Sequence, residues 1–270
     1  MVAWVLLCAI QSTVLERAHS HNDYLRNRPL FDAFDSGLAS VEVDVFLVGG
    51  DLLVAHSSAE LRPEKTIEAM YLDPLQNRIK ANGGRVYRGY DKPLWVLVDV
   101  KRDGLSAYRT LVSKLERYPE LSYKNGKGAV RFVISGDRAV DAIIADGGRY
   151  AALDGRWADL EKNISPEVMP WVSEDWTDHF AWIGAGPFPA EASNKLKSMV
   201  ETVHRLGRKL RFWGAPDLES IYQVQWQAGV DFLNTDKPAS LRNWILRQPG
   251  HSGKQRGPAD DVGGTGPKEG

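Results

Sequence analysis

The sequence predicts an α/β protein of the (β/α)8 TIM-barrel type, and three observations carry that reading. Eight short apolar or β-branched runs recur, each closing on a polar residue and most followed by an amphipathic segment, which is the pattern of strands in a parallel sheet. The 270 residues, 43% of them hydrophobic, suffice for one large core of the size that α/β barrels build as a single domain. No glycine-rich phosphate fingerprint follows the first strand, as an open doubly wound sheet would be expected to show. Barrels of this kind place reactive groups at the C-terminal ends of their strands. The polar residues there form the shortlist: His19, Glu42, Asp44, Asp99, Ser173, Trp213 and Asp236.

Taken in order, residues 14–18 form the first strand, ending at His19, and 29–37 a short helix with Leu30, Phe31, Phe34 and Leu38 on its buried side. Residues 40–48 form the second strand, and Gly49-Gly50-Asp51 turns the chain back through 52–55 to His56. Residues 63–80 are helix-forming, with Pro74 expected to split them into two pieces. Residues 94–100, LWVLVDV, read as a strand buried on both faces. A helix over 105–118 stops before Pro119, a strand over 129–134 stops at Ser135-Gly136, and a helix follows over 137–145. Residues 150–153 and 168–172 are strands five and six, ending at Asp154 and Ser173. Helical spacing over 190–206 closes on Gly207, and 209–213 is strand seven. Asp217 is expected to cap a helix to residue 228, 230–235 is strand eight ending at Asp236, and Pro238 opens a last helix at its first position.

The 34 basic and 35 acidic residues give a net charge of -1, which lacks the electrostatic footprint of a nucleic-acid binder. A single cysteine, Cys8, excludes an internal disulfide framework and a cysteine-rich metal site. The chain divides into a leader or signal remnant over 1–12, the barrel over 13–248, and a Gly-, Pro- and charge-rich tail over 249–270 that is expected to be disordered. The apolar run at 2–10 is too short to span a bilayer. It lacks a basic n-region; if it is a signal remnant, the protein is secreted or periplasmic.

The most informative stretch is SVEVDVFLVGGDLLVAH, residues 40–56. Side chains alternate along a strand, so Glu42 and Asp44 share one face and Val41, Val43 and Val45 the other. Paired carboxylates in a β-branched run are costly to bury without a cation beside them. Asp99 and Lys101 share a face of the third strand in the same way. Three carboxylates, two histidines and a lysine at one barrel mouth make an oxygen-ligand site for Mg²⁺ or Ca²⁺ flanked by acid/base groups, with zinc less favoured for want of nitrogen or sulfur ligands.

His19, Glu42-Val43-Asp44, His56 and Asp99-Val100-Lys101 resemble the PLC-like phosphodiesterase superfamily, which includes glycerophosphodiester phosphodiesterases and spider-venom type phospholipases D. The fuller pattern, AHSHNDY from Ala18, RPLFDAF from Arg28, SVEVDVFL from Ser40 and YLDPL from Tyr71, is similar to the "altered inheritance of mitochondria" branch and its bacterial relatives. The resemblance implies catalytic histidines at His19 and His56, a divalent metal on Glu42, Asp44 and Asp99, and phosphate contact by Lys101. It implies a phosphodiester substrate, soluble or a lipid head-group, with membrane contact only through such a substrate. Trp213, at a strand end, is a further candidate for substrate contact. Glycerophosphodiesterases carry His-Arg-Gly at the first histidine, where this chain has His19-Ser20-His21, and a second histidine followed by Asp, where this chain has Ser57. His21 is expected to support the site or face solvent, and His179, His204 and His251 to lie on the surface. The same residues leave two alternatives: an amidohydrolase-like barrel using His19-Ser20-His21 and Asp236, which lacks nitrogen ligands at strands five and six, and a barrel that binds a phosphoester without cleaving it.

Overall fold

The structure, a computed structural model, describes residues 13–121, 123–124 and 127–249. Cys8, His251, the expected leader and nearly all of the expected tail lie outside the described residues. β1 (Leu15–Ser20), β2 (Leu38–Val48), β4 (Leu94–Val100), β7 (Val130–Gly136), β8 (Ala152–Gly155), β9 (Trp171–Asp175), β10 (Lys209–Trp213) and β11 (Leu233–Thr235) form the staves. They pair in parallel in the order β10-β9-β8-β7-β4-β2-β1-β11. A single parallel bridge from Arg211 to Phe232 links the two ends and all but closes the barrel. The expected (β/α)8 barrel is therefore the fold. β3 (Asp51–Val54) pairs antiparallel with β2, and β5 (Tyr123–Lys124) with β6 (Lys127–Gly128) in a separate ribbon.

Helices α1 (Phe31–Asp35), α2 (Asp73–Ala81), α3 (Gly104–Leu115), α4 (Val140–Ala145), α5 (Trp176–His179), α6 (Ala190–Arg205), α7 (Glu219–Ala228) and α8 (Pro238–Leu246) connect the strands. Two apolar layers result. The outer one lies between strands and helices and holds Val41, Val43 and Val45 of β2 and Val96, Val98 and Val100 of β4, all buried. The inner one fills the lumen: Trp171 stacks on Trp95 at 5.5 Å and meets Phe232 edge-on at 4.4 Å, with Leu97, Val133 and Ala152 beside them. This aromatic plug makes the lumen a floor rather than a pore.

Several expected elements shift for local reasons. Residues 67–81 are continuous rather than split, because a π turn at Glu68–Leu72 runs directly into α2; the wider turn ahead of Pro74 accommodates a ring that α geometry would crowd. The sixth strand begins at Trp171 rather than 168, since Pro170 cannot donate to the ladder, and it runs past Ser173 to Asp175. Phe31 is exposed, and Leu38 opens β2. Asp217 caps no helix: its Oδ2 accepts from Asp236 N at 3.0 Å and Thr235 Oγ1 at 3.3 Å, tying down the end of β11.

Candidate active site at the barrel mouth

The β2–β4 register places Asp44 directly beside Asp99. With Val41, Val43 and Val45 buried on the opposite face, the lumen face of β2 presents Glu42 and Asp44 together. One oxygen from each of Glu42, Asp44 and Asp99 lies within 4.8 Å of the other two. The hairpin that returns the chain turns on Gly49 and Gly50, both at positive φ, and pairs Val48 with Asp51, so the tight turn read from the sequence is present. It delivers His56, whose Nδ1 lies 3.0 Å from the Tyr24 hydroxyl and 3.4 Å from Asp44 Oδ2. That hydroxyl donates to Asp44 Oδ2 at 2.6 Å. Lys101 Nζ bridges Asp44 Oδ2 at 2.7 Å and Asp99 Oδ2 at 2.9 Å. Ser57 heads a capping box in which Glu60 Oε2 accepts from His56 N and Ser57 N, which fixes the backbone that carries the histidine.

Neighbours set the charge of each carboxylate. Burial pushes Glu42 up, but the Arg211 guanidinium and the His19 hydrogen bond outweigh it and hold the carboxyl well below the usual range. Asp44 moves the other way: burial and the Glu42 charge raise it, and Lys101 and Tyr24 offset this only in part. For Lys101, burial is outweighed by Asp99 and Asp44, so the ammonium is held more firmly than usual. Asp44 Oδ1 is buried with no hydrogen-bond partner among the described residues. An orphaned oxygen within an all-oxygen donor set fits a hard divalent cation and fits zinc poorly. Gly136 makes room for this arrangement, because a Cβ there would stand 2.0 Å from Asp99 Oδ1, at a φ of +68° that disfavours any side chain.

The two histidines at the end of β1 separate. His19 is wholly buried on the aromatic floor, edge-on to Trp171 at 6.2 Å and Phe232 at 6.3 Å. Its Nε2 lies 3.1 Å from Glu42 Oε2 and its Nδ1 2.7 Å from Ser40 Oγ. A carboxylate only accepts, so Nε2 carries the proton and Ser40 donates to Nδ1. Burial, and then Arg211, lower its pKa to about 4, which leaves the ring neutral. His19, expected as a catalytic histidine, thus lies beneath the mouth, against Glu42. His21, expected to play a supporting part, sits at the mouth with a third of its side chain exposed. Its Nδ1 is 3.1 Å from Asp236 Oδ1 and its Nε2 4.0 Å from Glu42 Oε1. Burial lowers its pKa, but the Asp236 hydrogen bond and the Glu42 charge raise it further, for a net rise. Trp213 is 41% exposed at the end of β10, so it is rim rather than core. Ser173 is buried, 3.5 Å from Arg211 Nη1. His204 is exposed as expected, whereas His179 is largely covered and paired with Glu174 at 2.8 Å.

Residues 9–149, just over half of the chain, match the AIM6-like phosphodiesterase domain. The chain belongs to this family. The altered inheritance of mitochondria protein 6 homolog of Arthroderma benhamiae is 25% identical over 265 residues, covering 84% of this chain and 83% of its own. The corresponding protein of Lachancea thermotolerans is 29% identical over 274 residues, covering 83% of this chain; the chain spans only 64% of that relative's length. Two solved structures share the fold. An Oleispira antarctica phosphodiesterase in complex with the product sn-glycerol-3-phosphate superposes with a TM-score of 0.54 at 13% identity, over 86% of this chain and 97% of that one. A Parabacteroides distasonis glycerophosphodiester phosphodiesterase gives 0.54 at 16% identity, over 85% and 96%. At such identities the likeness is one of fold.

Three further residues outside the shortlist of strand ends buttress the site. Arg211, buried in β10, pairs with Glu42 and donates from Nε to Asn234 Oδ1 at 3.0 Å. The signal was present, since Arg211 is the lone charge between Leu210 and Phe212 and shares the face of Trp213. Asp23 is fully buried and accepts from Ser20 Oγ, Leu30 N and Tyr71 OH at 2.8, 2.6 and 2.9 Å, holding the loop that carries Tyr24. Asn22 and Leu30 in that loop adopt positive φ, a strained backbone that these anchors enforce. At the end of β8, Arg156 links Asp154 Oδ2 at 2.8 Å to Ser135 Oγ at 3.1 Å and adds a second cation near Asp99.

Proposed function

We propose that the chain cleaves phosphodiesters with the help of a divalent cation held by Glu42, Asp44 and Asp99. The observation that carries this is the trio of converging carboxylates, with Glu42 and Asp44 buried and Asp44 Oδ1 orphaned, flanked by histidines at a barrel mouth. When bound, a divalent cation such as Mg²⁺ or Ca²⁺ supplies charge that draws electrons from phosphorus and stabilises the transition state. Arg211 and His19 keep Glu42 ionised and oriented. Tyr24 and Lys101 fix Asp44, and Lys101 presents an ammonium towards which a phosphate oxygen is drawn. His56, more than half exposed beside Asp44, can exchange a proton with the reacting oxygens together with a histidine at the end of β1. Trp213 offers an open aromatic face to the substrate.

The Oleispira phosphodiesterase is described with its product sn-glycerol-3-phosphate, and this supports a glycerophosphodiester or phospholipid head-group as the substrate class. No helix of the described residues is long and apolar enough to cross a membrane. The deciding experiment is a ³¹P NMR panel of glycerophosphodiesters and lysophospholipids with chelated and metal-restored protein. Metal-dependent release of a monoester, directly or through a cyclic phosphate, is the expected result. Turnover of amides or lactones with no phosphodiester cleavage would refute the reading.

A further inference from the structure

We propose that Arg156, fixed at the end of β8 beside the carboxylate cluster, selects a substrate whose head group carries a second anionic group, a carboxylate or a further phosphate. This rests on the phosphodiesterase reading above and deepens it by naming the charge of the head group.

Alternation and register put the guanidinium at the mouth. Asp99 of β4 pairs with Ser135 of β7, and Asp154 lies on β8, the next strand round. The backbone stays extended at Arg156, two residues on, so its side chain shares the face of Asp154. Nη1 donates to Asp154 Oδ2 at 2.8 Å and to Gly155 O at 3.1 Å, and Nη2 donates to Ser135 Oγ at 3.1 Å. Contact with Ser135 brings the guanidinium to about 5 Å, one strand spacing, from Asp99. A group a few bonds beyond a phosphate held at the carboxylate cluster spans that distance.

The cation is clamped and has donors left over. Asp159, itself buried, accepts from Arg156 N at 2.9 Å and from Arg138 Nη1 at 2.6 Å, and Arg138 Nη1 also donates to Asp154 O at 2.8 Å. Both sides of the Arg156 backbone are thereby held. A guanidinium carries five N–H donors. Nε–H and one Nη2–H of Arg156 have no partner among the described residues, and 31% of its side chain is exposed. Two such N–H groups form the fork that grips a carboxylate or phosphate.

The protein's own acids do not fill that fork. Asp154 is the only carboxylate within 4.0 Å of the guanidinium among the described residues. Glu174, on the next strand, has one oxygen on Trp157 N at 2.6 Å and the other on His179 Nε2 at 2.8 Å. Burial weakens the hold of Arg156 on its proton, but Asp154, then Asp99 and Glu174, more than restore it, so the cation persists. The scissile phosphate is already served by Lys101 and the proposed metal, which leaves the Arg156 fork for a different anion. The same charge repels a quaternary ammonium head group, which the open face of Trp213 alone would attract.

The test uses Mg²⁺-loaded protein and glycerophosphodiesters, or their lysolipid counterparts, with phosphorylated inositol, glycerol and choline head groups. Wild type should favour the phosphorylated inositol substrate over the choline one by about tenfold or more in kcat/KM. Arg156→Gln should raise KM for the anionic substrate about 10–100-fold while changing the other two by less than about threefold. Arg156→Lys, a charge without the fork, should fall between. Because Arg156→Gln leaves the buried Asp154 unpaired, the double variant Arg156→Gln with Asp154→Asn removes both charges and should show the same loss of preference in folded protein, checked by circular dichroism. If no compound is cleaved, the phosphodiesterase reading fails by itself, and calorimetric affinities for the same compounds measure the head-group preference instead. A wild-type preference for choline, a head-group ratio unchanged in the Arg156 variants, or an equal loss on all the substrates would each overturn the assignment.

Discussion

Replacing Arg211 with methionine probes the least exposed charge pair of the site. The Arg211 and Glu42 side chains are 3% and 6% exposed and lie 169 residues apart in the chain, so the pair ties β10 to β2 across the lumen as well as setting the charge of the mouth. Methionine keeps most of the volume and leaves Glu42 buried with only the His19 hydrogen bond, while Asn234 loses a donor. Removing one partner of a buried ion pair costs about 3–5 kcal/mol, since the remaining charge is left uncompensated. For a domain of this size that lowers Tm by about 6–20 °C. Thermal and urea unfolding of chelated protein, followed by circular dichroism, would measure it. Glu42→Gln combined with Arg211→Met should recover part of the loss, because no unpaired charge remains. A cost below about 1 kcal/mol for Arg211→Met, or a double variant no more stable than the single one, would refute the claim that the pair carries this load.

Three further outcomes follow from the same geometry. The folded His19 takes a proton only near pH 4, whereas its ordinary value is 6.5, so the unfolded chain binds the extra proton between those values and stability falls as pH falls through that window. From pH 7 to 5 this amounts to about 2 kcal/mol in chelated protein; His19→Gln should unfold with a correspondingly flatter pH dependence, and parallel curves would contradict it, the raised His21 being common to both proteins. Gly136→Ala, which sets a methyl group against Asp99, should weaken calorimetric Mn²⁺ binding and cost about 1–3 kcal/mol in urea unfolding, with unaltered binding as the contrary result. Tyr24→Phe removes the hydroxyl that links Asp44 to His56 and should cost about 1 kcal/mol in stability and lower kcat; wild-type kinetics would show the hydroxyl to be a bystander.

The parts of this site governed by strand alternation were legible in the sequence. Glu42 and Asp44 two apart in a run of valines, Asp99 and Lys101 two apart in the next parallel strand, and a Gly-Gly turn returning His56 required only the period of two. The same period could not separate His19 from His21. His19 lies within β1 and His21 just past its end, and what distinguishes them is depth, fixed when His19 pairs with Ser40 and Asn234 above the Trp171–Phe232 floor. Depth depends on the register of neighbouring strands, which no local pattern encodes. Arg211 was visible as a lone charge in an apolar strand, but its partner lies 169 residues earlier. Asp217 sat where helix caps sit, yet the end of β11 competed successfully for its carboxylate. Pro74 broke no helix because a π turn absorbed it.

The central claim is that cleavage depends on a cation held by Glu42, Asp44 and Asp99. It is tested most directly by adding Mg²⁺ or Mn²⁺ in steps to exhaustively chelated protein while recording bound metal and phosphodiester turnover on the same sample, with Asp44→Asn alongside. Turnover should start near zero, rise in proportion to bound metal, saturate when the cluster is filled, and stay near zero in Asp44→Asn. Full turnover before any metal is bound, or undiminished turnover in Asp44→Asn, would contradict the account.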